Sequence, residues 1–368
     1  MKVKVEYLIP GCILSEDIYK KTNTPLMKKK TVLMEDDIDT LKAYLVPFVI
    51  VESKLVNGEV FEPKSTINEK SETKTNDSEE PSFIDLYLSA VQQFKKMFSH
   101  WQGGTKVDAF KIRKLFLPLY EKLPGKEQLI EIHHYGTKHD YIYFHSVAVG
   151  ILSACLGKKM NLSNGEIIQL GLAGLLSDCG MTKLPFNVFE KQGPLTVEEY
   201  NEVKEHPVVG YRMLEAVPGF SKGALLGVLQ HHEREDGTGY PMGLKGEKLH
   251  LFAKIISICD IYHAMTSERH YRTKQSPYKV IESLDKDHFG KIDHIILSAF
   301  KSMMLDLAIG KKVRLSNGAV GEILFIEDKD PTRPLIKLDE TNSLLKLISY
   351  PEIFIEELID EHDDPADN

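Results

Sequence analysis

Histidine and aspartate occur at several places inside long apolar segments, where an unpaired polar side chain is costly. The set comprises His145, Asp178, His206, the adjacent pair His231-His232, and Asp260. Successive members of the set are separated by 25 to 33 residues, about one helix and its return connection. In a helical bundle such positions can reach the same level of the core, where imidazole nitrogens and carboxylate oxygens bind divalent transition metals.

Each of these side chains has a simpler explanation when it is taken alone. A single buried histidine or aspartate is more often a hydrogen-bonded core residue than a ligand, and His231-His232 alone is equally compatible with either role. The complete set favours metal binding, because several buried polar groups then share one partner. A carboxylate such as Asp178 can bridge two cations, and paired metals activate water and clamp a phosphoryl group.

The elements that must position this set have helical signatures. Apolar residues follow a helical pattern from about residue 83 to residue 308. Two capping boxes, Ser163 with Glu166 and Thr196 with Glu199, predict helix starts, and Ser276-Pro277 predicts a third. The segment EIIQLGLAGLL before Asp178 is apolar nearly all round, which predicts a central buried helix.

Short alternating segments precede and follow the helical region. The first 55 residues predict strands with one helix near Asp36–Ala43, and Asn317-Gly318 between two apolar runs predicts a hairpin. We therefore predict a mainly α protein, an all-helical bundle flanked by a small N-terminal α+β segment and a small C-terminal β domain. The predicted segments are a strand-rich domain (1–55), a flexible linker (56–82), the helical domain (83–308), a β-barrel-like domain (309–357) and an acidic tail (358–368).

Composition excludes several classes of protein. Most of the net charge of −8 falls on the segment from Glu356 to Asn368, so bulk charge does not favour DNA or RNA as a partner. Neither a signal peptide nor a membrane span is predicted. Four dispersed cysteines, without a CxxC pair, are typical of reduced thiols, and we expect a cytoplasmic protein.

The string HHEREDGTGYP at 231–241 resembles the HD-GYP family of metal-dependent phosphodiesterases. HDYIYFHSVAV, EHPVVGYRML and CDIYHAMTSERHYR agree with it, and the resemblance covers about residues 130–300. It implies a helical HD-type bundle, a cytoplasmic bacterial signalling enzyme and hydrolysis of cyclic di-GMP, or a related cyclic dinucleotide, to pGpG or GMP.

The resemblance also implies roles for single residues. The metal ligands would be His145, Asp178, His206, His231, His232 and Asp260, with Asp178 as the bridging ligand. The site would hold one or two ions, iron or manganese. Tyr240, Arg269 and Arg272 would contact the substrate, and Asp178 and the two arginines would take part in catalysis. Tyr141 stands where a third metal would need a glutamate.

Two positions depart from the family pattern. Ser177 replaces the histidine of the His-Asp pair, and Met181 replaces a lysine. We therefore expect slow turnover, because loss of a ligand weakens metal binding; Cys179 points elsewhere on a helix. The alternative is an inactive regulatory module that binds cyclic di-GMP or a signalling protein. The helices of residues 83–130 are a candidate homodimer surface.

Overall fold

The computed structural model describes residues 1–19, 25–63, 80–184, 188, 191, 193–268, 274–286 and 290–359. Most of the predicted linker and nearly all of the acidic tail lie outside this range. Arg269 and Arg272, the two predicted phosphate ligands, also lie outside the described residues.

Helices form the main body of the protein, as predicted. One helix, α1 (Glu35–Ala43), belongs to the N-terminal segment. The helices that follow are α2 (Phe83–Gln102), α3 (Ala109–Glu121), α4 (Lys126–Glu131), α5 (Tyr141–Lys159), α6 (Asn164–Leu176), α7 (Val197–Val203), α8 (His206–Leu214), α9 (Lys222–Gln230), α10 (Leu251–Thr266), α11 (Pro277–Lys286) and α12 (His294–Met304).

Helix α5 lies at the centre of the bundle. It packs against α2, α6 and α10, and almost every residue from Tyr141 to Gly157 is buried. Within the described residues it is the one helix long and apolar enough to cross a bilayer, but most of it is enclosed by other helices. Its apolar character therefore fits a core helix.

Helix starts follow the predicted capping signals. The Ser163 hydroxyl accepts from the Glu166 amide while the Glu166 carboxylate accepts from the Ser163 amide, and Thr196 with Glu199 does the same. Helix α11 begins at Pro277. These caps satisfy amides that have no partner within the helix.

The N-terminal segment has its own small core. Strands β1 (Lys2–Lys4) and β2 (Phe48–Ile50) pair antiparallel, and α1 packs beside them through Ile38 and Leu41. The apolar cluster of this segment includes Phe61. Packing therefore continues beyond residue 55, where we predicted the boundary, and the exact limits of the domains stay a prediction.

The C-terminal segment is a five-stranded antiparallel sheet in the order β6-β5-β4-β3-β7. Its strands are β3 (Lys312–Leu315), β4 (Val320–Phe325), β5 (Leu335–Leu338), β6 (Leu344–Lys346) and β7 (Ile355–Ile359). The predicted hairpin joins β3 to β4, and Gly318 adopts φ +85° in the turn. Tyr278 of α11 is buried in the core of this sheet, which joins it to the helical body.

Candidate metal centre

Five helices bring the predicted ligands to one place. His145 lies in the first turns of α5, Asp178 follows α6, His206 begins α8, His231 and His232 follow α9, and Asp260 lies within α10. One ligand atom from each of Asp178, His206, His231 and His232 lies within 4.8 Å of the others, and His145, Asp178 and Asp260 form a second such group. The prediction that these groups converge agrees with the structure.

A glycine permits the close approach of α8 to the turn that carries Asp178. A Cβ atom at Gly180 would lie 2.0 Å from the His206 carbonyl oxygen and 2.7 Å from the Gly210 amide nitrogen. Real Cβ atoms do not approach main-chain atoms so closely, so only glycine fits there. Gly180 therefore allows Asp178 and His206 to lie close together.

The two oxygens of Asp178 face different histidines. Oδ1 is 3.2 Å from Nε2 of His206 and 3.8 Å from Nε2 of His231, whereas Oδ2 is 3.5 Å from Nε2 of His145. Asp260 reaches the same region from α10, with Oδ1 3.0 Å from Nε2 of His145 and Oδ2 3.7 Å from Nδ1 of His232. Asp178 therefore lies between the two groups.

Main-chain hydrogen bonds set the tautomers of His206 and His231. Nδ1 of His206 donates to the carbonyl of Val203 at 2.6 Å, and Nδ1 of His231 donates to that of Val228 at 2.8 Å. In the neutral rings the proton is then on Nδ1, so both Nε2 atoms carry lone pairs. These two Nε2 atoms are 3.3 Å apart and both face Asp178.

A second histidine orients His145. Nδ1 of His145 is 3.1 Å from Nδ1 of His263, which is also 3.1 Å from the Ser267 hydroxyl. When His145 carries its proton on Nδ1, His263 accepts that proton in a hydrogen bond and Nε2 of His145 is free to bind a cation. We missed His263 in the sequence, although its spacing of three residues from Asp260 on α10 puts both on one helix face.

The centre concentrates negative charge in a buried place. Burial would raise the pKa of Asp178, but the imidazoles of His206 and His231 close to its carboxylate hold that pKa well below its ordinary value. The pKa of Asp260 is also lowered, by its contact with His145, against the effect of burial. Burial lowers the pKa of His232 well below the ordinary value. Two carboxylates thus stay ionised beside a neutral imidazole.

A buried glutamate shapes the loop that follows His232. Glu233 accepts hydrogen bonds from the amides of Met242 at 2.7 Å and Leu244 at 2.9 Å, so it holds the loop from within. A Cβ atom at Gly239 would lie 2.4 Å from Cα of Glu233, which requires glycine there. Sequence reasoning missed this role of Glu233, which its burial at 2% exposure makes plain.

This loop lays Tyr240 against the centre. Its ring lies 4.7 Å from the ring of His232, at an interplanar angle of 30°. Burial raises the pKa of the phenol, and the charge of Asp260 raises it further, so the hydroxyl stays protonated. Tyr240 therefore lies in ring contact with His232, one of the predicted metal ligands.

The residues that depart from the family pattern make other contacts. The Ser177 hydroxyl donates a hydrogen bond to the Gly174 carbonyl at 2.9 Å, and the side chain of Met181 packs against the helical core. The ring of Tyr141 stacks on that of His145, with the ring centres 5.1 Å apart. Burial raises the pKa of Cys179, as does the charge of Asp178, so its thiol stays protonated. These residues supply no thiolate or lysine to the centre.

The donor set fits a divalent metal. Nε2 of His206, Nε2 of His231 and Oδ1 of Asp178 are all acceptors facing one another, an arrangement that is unfavourable unless a cation lies between them. Nitrogen and carboxylate ligands of this kind suit iron, manganese and zinc. The described residues therefore form a His/Asp site for a divalent ion.

Comparison with known proteins identifies the domain that carries this site. Residues 127–295 match the family model of the HD domain. The chain is 35% identical over 202 residues to a cyclic di-GMP phosphodiesterase from Pseudomonas aeruginosa, covering 55% of this chain and 49% of the relative. It is 30% identical over 201 residues to another from Borreliella burgdorferi, covering 54% and 52%. The chain therefore contains an HD-GYP-like domain.

Other comparisons extend this result. A 3'3'-cGAMP-specific phosphodiesterase from Vibrio cholerae is 29% identical over 168 residues, covering 46% of this chain and 36% of the relative. An HDG"Y"P protein from Bdellovibrio bacteriovorus has a similar fold, with a TM-score of 0.50 and 15% identity over 83% of this chain and 99% of that chain. The chain spans about half the length, or less, of these curated relatives.

Proposed function

We propose that this protein is a metal-dependent phosphodiesterase that hydrolyses cyclic di-GMP to pGpG or GMP. The observation that carries the proposal is the set of lone pairs from His206, His231 and Asp178 that face one another in a buried site. The names of the relatives from Pseudomonas and Borreliella support cyclic di-GMP as the substrate. The Vibrio relative makes a mixed cyclic dinucleotide a second substrate to assay.

We assign the ligands in two groups that share Asp178. One ion would bind Asp178, His206, His231 and His232, and a second would bind His145, Asp178 and Asp260. The opposite directions of the two Asp178 oxygens support a bridging role. We propose iron or manganese, one or two ions in each chain.

A pair of bound metal ions supplies Lewis acidity that activates water and stabilises charge on a phosphoryl oxygen. Residues of the chain would position the substrate. Tyr240 limits the pocket beside His232, Glu233 holds the loop that carries Tyr240, and Ser257 accepts a hydrogen bond from Arg234 at 2.7 Å behind that loop. We propose that Arg269 and Arg272 bind the substrate phosphates, a role suited to the planar guanidinium.

Slow turnover is part of the proposal. The group of His145, Asp178 and Asp260 contains one imidazole, because Ser177 stands where the family pattern has a histidine. Mutation of a residue that only hydrogen-bonds to a metal ligand lowers metal affinity or activity about 10–100-fold. We expect the loss of a ligand itself to lower them at least as much.

A regulatory module without turnover is the second candidate. The Ser177 hydroxyl, which is bonded to a helix carbonyl, and Met181, which carries no charge, favour it. Such a module would bind cyclic di-GMP or a signalling protein and act through the N-terminal and C-terminal segments.

Metal content and hydrolysis together test the proposal. The full chain, purified without oxygen, is expected to contain up to two iron or manganese ions and to release pGpG or GMP slowly. Asp178→Asn should lower the metal content and reduce kcat at least ~100-fold. His294→Asn, on the exposed start of α12, is the matched control and should change neither. Absence of both metal and product would contradict the proposal, and tight nucleotide binding without product would favour the second candidate.

The location and assembly of the protein are also proposals. All four cysteines are free and buried, which supports a reducing compartment, and we propose the cytoplasm. We further propose that α2 and α3 form a homodimer surface, since Phe110 of α3 is 75% exposed.

A further inference from the structure

A cavity apart from the metal centre lies where the N-terminal segment, the helical body and the C-terminal sheet meet. Its volume is about 990 Å³, at the upper end of the range for small-molecule sites. The N-terminal segment, the α4 region, the segment that precedes α11 and the C-terminal sheet all line it. The six metal-centre residues named above are absent from its described lining. We call it the junction cavity.

Charged side chains of both signs line the junction cavity, and most of its carboxylates are already paired. Glu357 contacts Lys28 at 2.7 Å and Arg314 at 2.9 Å. Glu131 pairs with Lys30, and Asp306 pairs with Lys311. The pairs of Lys28 and Lys30 join the N-terminal segment to the sheet and to α4, and three further carboxylates, Asp17, Glu127 and Glu356, also line the cavity.

Lys274 is a further cation of this cavity. It lines the junction cavity and has neither an ion pair nor a hydrogen bond with any residue that the structure describes. Surrounding protein lowers the pKa of its ammonium group and the charge of Lys28 lowers it further, against the opposing charges of Glu268, Glu356 and Glu357. A ligand with negative charge would give Lys274 a direct partner.

Two histidines form the adjacent wall. The rings of His133 and His134 are 4.1 Å apart, and Nδ1 of each is buried without a hydrogen-bond partner in the described parts of the chain. Burial, with the charge of Lys274, lowers the pKa of His133 to about 3, so this ring is neutral. Unpaired buried nitrogens are costly, and these two lie beside the cavity that Lys274 also lines.

We propose that the junction cavity binds a small phosphate-bearing anion, with Lys274 as its principal cation. An anion offers the Lys274 ammonium a charge-assisted hydrogen bond, and a phosphate group presents several acceptor oxygens at once. The volume is sufficient for a nucleotide, and the lining combines charged side chains with apolar ones such as Ile309 and Leu358. This site is separate from the one that would hydrolyse cyclic di-GMP.

Inorganic pyrophosphate is the probe for the test, titrated into the full chain by calorimetry at constant ionic strength. Lys274→Met should weaken binding about tenfold or more, because a charged hydrogen bond is lost. Lys274→Arg, which keeps the charge, should retain binding. Lys159→Met, on the exposed end of α5, is the matched control and should bind as the unchanged protein does. A thermal melt of each variant checks that it folds.

A further variant separates the two sites. Asp178→Asn disrupts the metal centre and should leave pyrophosphate binding at the junction cavity unchanged, whether or not the protein hydrolyses cyclic di-GMP. The proposal is overturned if pyrophosphate does not bind, if Lys274→Met binds it equally well, or if Asp178→Asn abolishes binding.

Discussion

Main-chain hydrogen bonds on Nδ1 determine which nitrogens of His206 and His231 can act as ligands. Such contacts on the far side of the ring fix the tautomer and leave Nε2 for a cation. His145 depends on a side chain, His263, for the same effect. Residues that hydrogen-bond to the ligands from outside the centre therefore set the tautomers of the three histidines.

Ser177→His tests the effect of the missing imidazole. We expect more metal per chain and faster hydrolysis of cyclic di-GMP, because the second group would gain a nitrogen ligand. Metal analysis and product formation measure the change. Ser177→Ala is the control for loss of the hydroxyl bond to Gly174 and should bring no gain. Unchanged metal content in Ser177→His would mean that position 177 does not face the centre.

Contact between α8 and the turn after α6 sets the separation of Asp178 and His206. The contact depends on Gly180, whose main chain lies directly against that of His206 and Gly210. A main-chain neighbour cannot move aside as a flexible side chain can. The geometry of the metal centre is thus a property of helix packing as well as of its ligands.

Gly180→Ala should therefore destabilise the fold and weaken metal binding together. Overpacking of this kind costs about 1–3 kcal/mol, and the displaced α8 would carry His206 away from Asp178. Urea unfolding and metal titration measure the two effects. Gly165→Ala on α6, where a Cβ meets nothing within 4 Å, should instead be neutral or stabilising. Equal behaviour of the two variants would refute the packing argument.

Ion pairs connect the C-terminal sheet to the helical body and to the N-terminal segment, and the one with the helical body is buried. Arg333 donates to both oxygens of Glu282 on α11 at 2.6 Å and to the Ile353 carbonyl at 2.6 Å. Lys28 of the N-terminal segment pairs with Glu357 of β7. The three parts of the chain are therefore linked by charges as well as by the apolar contacts of Tyr278.

Glu282→Gln should destabilise the protein by about 3–5 kcal/mol at neutral pH, because it leaves the Arg333 charge buried and unpaired. Burial would raise the pKa of Glu282, but hydrogen bonds from Lys286 and Arg333 lower it below its ordinary value. Its contribution is therefore full above the unfolded pKa and is lost as the pH falls through the folded value. Urea unfolding should show a smaller difference between the two proteins in acid.

Asp285→Asn on the same helix provides the comparison. Asp285 pairs with Lys301 and is 46% exposed, so its loss should cost less than about 1 kcal/mol. An equal loss of stability in Asp285→Asn and Glu282→Gln would show that the buried ion pair contributes no more to the free energy of unfolding than the exposed one.

Local patterns in the sequence determined the helical body, its capped starts, the hairpin at Asn317-Gly318 and the candidate ligands, because caps, turns and apolar periodicity act over a few neighbouring residues. Only the tertiary structure decided which atoms meet. The contact of His263 with His145, the loop held by Glu233 and the cavity beside Lys274 each join groups from separate elements. Such contacts depend on how helices pack, and the spacing of residues along a chain does not specify that.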